Sequence, residues 1–272
     1  MGRGMASNWI SRGRVFALGV AIGTAINAAP ALAAGQYGYA YAKGPGEAMS
    51  VNLRVLADSP KDFTALVGAG KAALELGDFQ AAAGFFARAE EVSPRSPVPQ
   101  AGMGAALAHG GDPQAALRYF ASAISFGASQ ASIGSERGLA YDLMGQHALA
   151  QADYRAAMAG ADADEARRRL SLCLAISGNR ADALATLAPL MARGDAGGAR
   201  CRAFVLALTG DQAGARQMID ARMPGASRQM AYFFQKLPTL RSDQKAAAVH
   251  LGVFESGGQP SYAIANAEPE GD

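Results

Sequence analysis

GAGKAALELGDFQAAAGFFARAEEVSP (residues 68–94) returns as GMGAALAHGGDPQAALRYFASAISFGA (102–128) and again as RGLAYDLMGQHALAQADYRAAMAGAD (137–162), and this recurrence decides the architecture. Gly70, Gly104 and Gly138 are 34 residues apart, as are Gly77, Gly111 and Gly145, then Ala82, Ala116 and Ala150, and the aromatic series Phe86, Phe120 and Tyr154. The first glycine of each copy falls inside a helix, where it costs about 1 kcal/mol against alanine. Close approach of the paired helix offsets that cost. Gly77-Asp78, Gly111-Asp112 and Gly145-Gln146 form the turn, where glycine takes a left-handed conformation freely. The alanines keep the second helix thin where it crosses the first, and the aromatics fill the seam to the next copy.

Two weaker copies follow. LSLCLAISGNRADALATLAPLM (170–191) and CRAFVLALTGDQAGARQMID (201–220) keep the turn glycine at Gly178 and Gly210 and the alanine at Ala183 and Ala215, while the turn spacing shrinks to 33 and then 32. Upstream, Pro60 lies 34 residues before Pro94, so residues 47–58 read as the second helix of an incomplete leading copy. Residues 223–256 read as a helical cap: Ser227 caps a helix carrying Met230, Phe233 and Phe234, Pro238 breaks it, and Ser242 caps another reaching Leu251. The last repeat of any array needs such a cover for its apolar face. Residues 257–272 carry no periodicity and read as a disordered tail.

A 34-residue period with small, Gly, Ala and aromatic positions at these offsets resembles the tetratricopeptide-repeat (TPR) family. The resemblance implies an all-α fold, an α-solenoid of helix-turn-helix repeats in a right-handed superhelix, closed here by the C-terminal cap. The array, a half-repeat plus about five pairs, spans 47–222. The family's first helices line a concave groove that holds partner proteins. The resemblance places Lys71, Glu75, His109, Glu136, Asp142, Arg168, Arg169 and Arg200 there. Their charge runs from mixed at the first pairs to basic at Arg167-Arg168-Arg169 and Arg200, an end suited to acidic side chains or a peptide carboxylate. The chaperone-binding subclass needs a set of Lys, Asn and Arg at positions held here by Val67, Lys71, Gly102, Ser132 and Glu136, so that clamp is missing.

Of 272 residues, 25 are Lys or Arg and 23 are Asp or Glu. Residues 1–33 read as a signal peptide: basic at Arg3, Arg12 and Arg14, apolar through VFALGVAIGTAINAA, and closed by the small-residue site Ala31-Leu32-Ala33. A linker, 34–46, follows. Removing the signal takes away three arginines and leaves 22 basic against 23 acidic side chains, a balance that gives no electrostatic reason to expect nucleic acid. Gly35 stands where a lipoprotein signal needs cysteine, so no lipid anchor is expected. The implied location is the periplasm or beyond, with outer-membrane association open.

The residue types that carry chemistry stand at no working spacing. His109, His147 and His250 are scattered, with no carboxylate, thiol or second histidine at ligand spacing, and read as surface residues. GAGKAA (68–73) lacks the earlier glycine and following Ser/Thr of a phosphate loop. Asp162 and Asp164 read as helix-start residues. Cys173 and Cys201, at inequivalent helix positions, read as small buried residues without a bridge. No catalytic residue, cofactor or metal is expected.

Signal, in-register repeats and MAYFFQKLPTLRSDQKAAAVHLGVF (230–254) together resemble alphaproteobacterial exported TPR proteins of the Tad/Flp-pilus assembly (TadD) group. The resemblance implies a non-enzymatic adaptor in an envelope assembly, a pilus or secretion apparatus, with protein partners there. The alternative is a periplasmic adaptor of cell-wall or division enzymes. A peptidoglycan-binding SPOR domain, which similar chains carry beyond the closing segment, is not expected after this acidic tail.

Overall fold

The computed structural model describes residues 44–255 and 260–261; the signal peptide, nearly all of the linker and most of the tail read from the sequence lie outside them. A leading helix, α1 (Pro45–Asp58), is followed by five antiparallel pairs: α2 (Phe63–Glu75) with α3 (Phe79–Val92), α4 (Pro97–His109) with α5 (Pro113–Ser125), α6 (Gln130–Leu143) with α7 (His147–Ala157), α8 (Ala163–Ile176) with α9 (Arg180–Ala192), and α10 (Ala196–Leu208) with α11 (Gln212–Asp220). The punctuation is local. At the first turn Gly77 has φ 79°, and Asp78 then accepts the Ala81 amide at 2.9 Å to start α3. Asp112, Asn179 and Asp211 do the same for α5, α9 and α11. Gln146 makes no such bond, and neither does Asp162, whose cap role before α8 is not realised.

Each first helix packs on the next, α2 on α4, α4 on α6, α6 on α8 and α8 on α10, so these five form one layer. Each second helix except α11 packs between its own first helix and the following one. Phe86, Phe120 and Tyr154 are at most 1% exposed. A Cβ on Gly70 would lie 2.8 Å from the Phe86 ring, and one on Gly102 of the next pair 2.4 Å from that same ring. Gly104 and Gly138 would meet Phe120 and Tyr154 at 2.9 and 2.7 Å. A carbon–carbon contact needs about 3.5 Å or more, so these rings lie where only backbone is present. Ala82, Ala116, Ala150, Ala183 and Ala215 are fully buried at the helix crossings. The result is an all-α solenoid of TPR-type helix pairs.

The two short-spaced pairs continue the array into its largest core, where Leu187, Leu190, Val205, Phe234 and Leu237 are fully buried. After α11 the chain makes a 3-10 turn (Ala226–Arg228), α12 (Ala231–Lys236), a second 3-10 turn (Leu237–Thr239), and α13 (Ser242–Ala246), which widens into a π turn (Ala247–Leu251). The sequence-based caps are displaced here. Ser227 gives its hydroxyl to Asp220 at 2.6 Å instead of opening α12, and the residue before α13 is Arg241, with Ser242 already helical. Phe254–Glu255, at the end of the stretch assigned to the helical cap, pairs antiparallel with Pro260–Ser261 of the stretch assigned to the tail. Helix α13 crosses α6 and α8, so the C-terminal segment lies on the first-helix layer. Among the described residues no helix is long and apolar enough to cross a membrane.

Candidate functional site

Three features converge where the C-terminal segment meets the first helices. The first is an ion-pair chain across three repeats. Arg169 of α8, with its side chain 9% exposed, reaches Glu136 of α6 at 3.1 Å, Glu165 of its own helix at 2.9 Å and the Ser135 carbonyl at 2.9 Å. His109 at the end of α4 meets the other Glu136 oxygen at 2.8 Å and stacks on Phe79 at 5.6 Å. Burial pushes the Glu136 carboxyl up, but Arg169 and His109 outweigh it and hold it well below the usual carboxylate range. Arg168 bridges Glu165 at 2.9 Å and Asp195 at 3.1 Å, tying α8 to the start of α10.

The second feature is a buried cluster on Asp142, which is fully buried at the end of α6. Its Oδ1 faces His147 Nδ1 at 2.5 Å and accepts the Cys173 thiol at 3.0 Å, and its Oδ2 faces His250 Nε2 at 2.9 Å. Burial raises the Asp142 carboxyl, and the His147 and His250 contacts outweigh that and bring it down to about 2. Burial and the adjacent Asp142 charge push the Cys173 thiol far up, so it stays protonated. The reading of His147 and His250 as surface residues is therefore wrong. Their side chains are 15% and 3% exposed, because they supply the hydrogen bonds that a buried carboxylate requires. His109 is half-buried within the first chain. Both cysteines are free and buried, and burial pushes the Cys201 thiol up to about 12.

The third feature is a cavity of about 670 Å³ between α8, α10, α11 and the C-terminal segment. Its wall is largely apolar, with Leu139, Leu172, Phe204, Met230, Phe233 and Leu251, while Arg168, Arg169, Arg200, Glu165, His109, His250 and Gln229 supply the polar groups. Phe204 meets Phe233 and Phe234 edge-on at 5.9 and 6.3 Å, which fixes that wall.

The groove candidates thus divide. Lys71 and Glu75 are exposed on α2, away from the cavity. Asp142 is sealed in, and Arg169 and Glu136 are bound to each other, so neither Asp142 nor Arg169 is a free contact for a partner. His109 and Arg168 line the cavity but carry partners of their own. Arg200 is exposed, lines the cavity and has no ion pair or hydrogen bond among the described residues. Sequence reasoning missed the Asp142 cluster, although one signal was present. The residues in register with Asp142 are Leu74, Ala108, Ala175 and Ala207, so an acid stands where every other repeat is apolar.

No family model matches the chain, and no curated protein matches it significantly. Among solved structures, the crystal structure of YrrB, described as a TPR protein with an unusual peptide-binding site, aligns with 68% of this chain and 100% of its own. The identity is 19% and the TM-score 0.45. The TPR-type assignment of the fold rests on the helix pairs and their 34-residue spacing.

Proposed function

We propose that this protein is an exported scaffold that holds a segment of a partner protein in the cavity between α8, α10 and the C-terminal segment, with Arg200 receiving a carboxylate. The observation that carries the reading is the pairing of an apolar cavity of about 670 Å³ with one exposed, uncommitted guanidinium at its edge. Apolar wall and cation together suit an apolar side chain next to an acidic group. Among the groups lining the cavity, His109 and His250 are committed to carboxylates and burial keeps the Cys201 thiol protonated, which favours binding over catalysis there.

The place of work is read from residues 1–33 and the resemblance to the Tad/Flp-pilus group: an envelope assembly such as a pilus or secretion apparatus, outside the inner membrane. Two measurements test the proposal. The mass of the protein recovered from cells reports cleavage after Ala33, and an intact N-terminus on a cytosolic protein would rule out export. Affinity capture from cross-linked envelopes, wild type against Arg200→Glu, reports the binding surface. Envelope proteins held by wild type and lost by the variant are expected, and equal recovery by both would remove Arg200 from the site.

A further inference from the structure

The structure assigns a second site: we propose that Asp142, His147 and Cys173 bind a divalent transition cation of the zinc class, with His250, which also lines the cavity, orienting the carboxylate from behind. The other buried carboxylate in the repeats, Asp153, has an arginine, Arg137, at 2.5 Å, and the half-buried Glu136 has Arg169. Asp142 is fully buried and pairs with no Lys or Arg among the described residues. Its neighbours are two imidazoles and a thiol. Those are the side chains that, with a carboxylate, ligate a borderline-soft dication.

Geometry supports the assignment. One Asp142 oxygen, a His147 nitrogen and the Cys173 sulfur all lie within 4.8 Å of one another. Tetrahedral bonds of about 2.0 Å to nitrogen and oxygen and about 2.3 Å to sulfur set donor separations of roughly 3.3–3.8 Å. The present contacts of 2.5 Å (His147 Nδ1) and 3.0 Å (Cys173 Sγ) to Oδ1 must therefore widen by about 1 Å or less. The His147 carbonyl, 3.6 Å from Sγ, or a water completes the tetrahedron. The charges then close: a dication, one carboxylate and one thiolate sum to zero in a dry site. Binding releases the Cys173 thiol proton to solvent, and Nδ1 of His147 takes the metal with the ring proton on Nε2, a buried nitrogen that has no hydrogen-bond partner among the described residues. His250 keeps its bond to Oδ2 at 2.9 Å, the position from which a supporting histidine fixes a carboxylate ligand. The ion would join the α6–α7 turn to α8 and, through His250, to the C-terminal segment.

Cobalt(II) titration of the metal-stripped protein tests this directly. One ion per chain is expected, with the intense near-ultraviolet band of a cobalt–thiolate bond. Cys173→Ser should abolish the band and Cys201→Ser should leave it intact. His250→Ala should keep it while weakening affinity about 10- to 100-fold. A wild-type titration without the band, or a band that survives in Cys173→Ser, overturns the proposal. Should Cys173→Ser fail to fold by circular dichroism, the melting temperature of the wild-type protein decides. It should rise with added zinc to saturation at one equivalent, and indifference to zinc overturns the site.

Discussion

Replacing glycine by alanine should have opposite effects at two helical positions of this array. Gly84 lies exposed on α3 with nothing within 4 Å of an added Cβ, whereas the same atom on Gly102 of α4 would lie 2.4 Å from the Phe86 ring. At Gly84 only backbone entropy and helix propensity change, so Gly84→Ala should stabilise by about 0.5–1 kcal/mol. At Gly102 the same gain of about 1 kcal/mol competes with overpacking. The methyl intrudes more than about 1 Å inside normal contact. Phe86 cannot retreat, because Gly70 bounds its ring at a Cβ distance of 2.8 Å on the other helix. Overpacking with no escape costs about 3 kcal/mol, leaving Gly102→Ala destabilised by about 2 kcal/mol. Urea unfolding followed by far-ultraviolet circular dichroism measures both, and Phe86→Leu in the Gly102→Ala background should recover part of the loss. A Gly102→Ala protein as stable as wild type would refute the claim that backbone proximity to the ring explains these glycines.

Tyr154 occupies the ring position held by Phe86 and Phe120, and its hydroxyl is buried with no hydrogen-bond partner; Tyr154→Phe should raise the urea midpoint, by about 1 kcal/mol of stability, and a lower midpoint would show that the hydroxyl is satisfied. Arg169→Ala strips Glu136 and the Ser135 carbonyl of their buried partner and should cost about 3–5 kcal/mol in the same assay, so loss of partner binding in that variant reports the fold. Glu136 ionises more readily in the folded state than in the unfolded chain. Its contribution is complete above the unfolded carboxylate pKa of about 4.3 and is lost as pH falls below it. The stability gap between wild type and Glu136→Gln should accordingly shrink as pH falls from 5 towards 3; a gap unchanged at pH 3 would contradict the ion-pair account.

The solenoid was legible because its determinants repeat. A glycine that would strike a ring, a glycine at positive φ and an acidic cap each recur at a fixed offset, so a single chain carries several copies of the same physical statement. The site was legible only where it is local. Glu165 stands four residues before Arg169, a spacing at which helical side chains meet. Glu136 and His109 reach the same guanidinium from two earlier repeats, and nothing in the run Arg167-Arg168-Arg169 tells which arginine turns inward. His250 was unreadable for a different reason. Its partner lies 108 residues away, and the segment carrying it belongs to no repeat. The exceptional acid at position 142 was visible against its apolar counterparts, but the donors that make it tolerable were not.

That same distance dictates an order of assembly. The main contacts between repeat helices join each helix to the next or the next but one along the chain, so helix pairs can close one after another as the chain emerges, N-terminus first. The C-terminal segment is the exception: α13 packs back on α6 and α8, and the imidazole of residue 250 reaches the Asp142 carboxylate only when nearly the whole polypeptide is out. Until then the middle of the solenoid holds a charge open to water, and the last stretch to be delivered is the one that seals it.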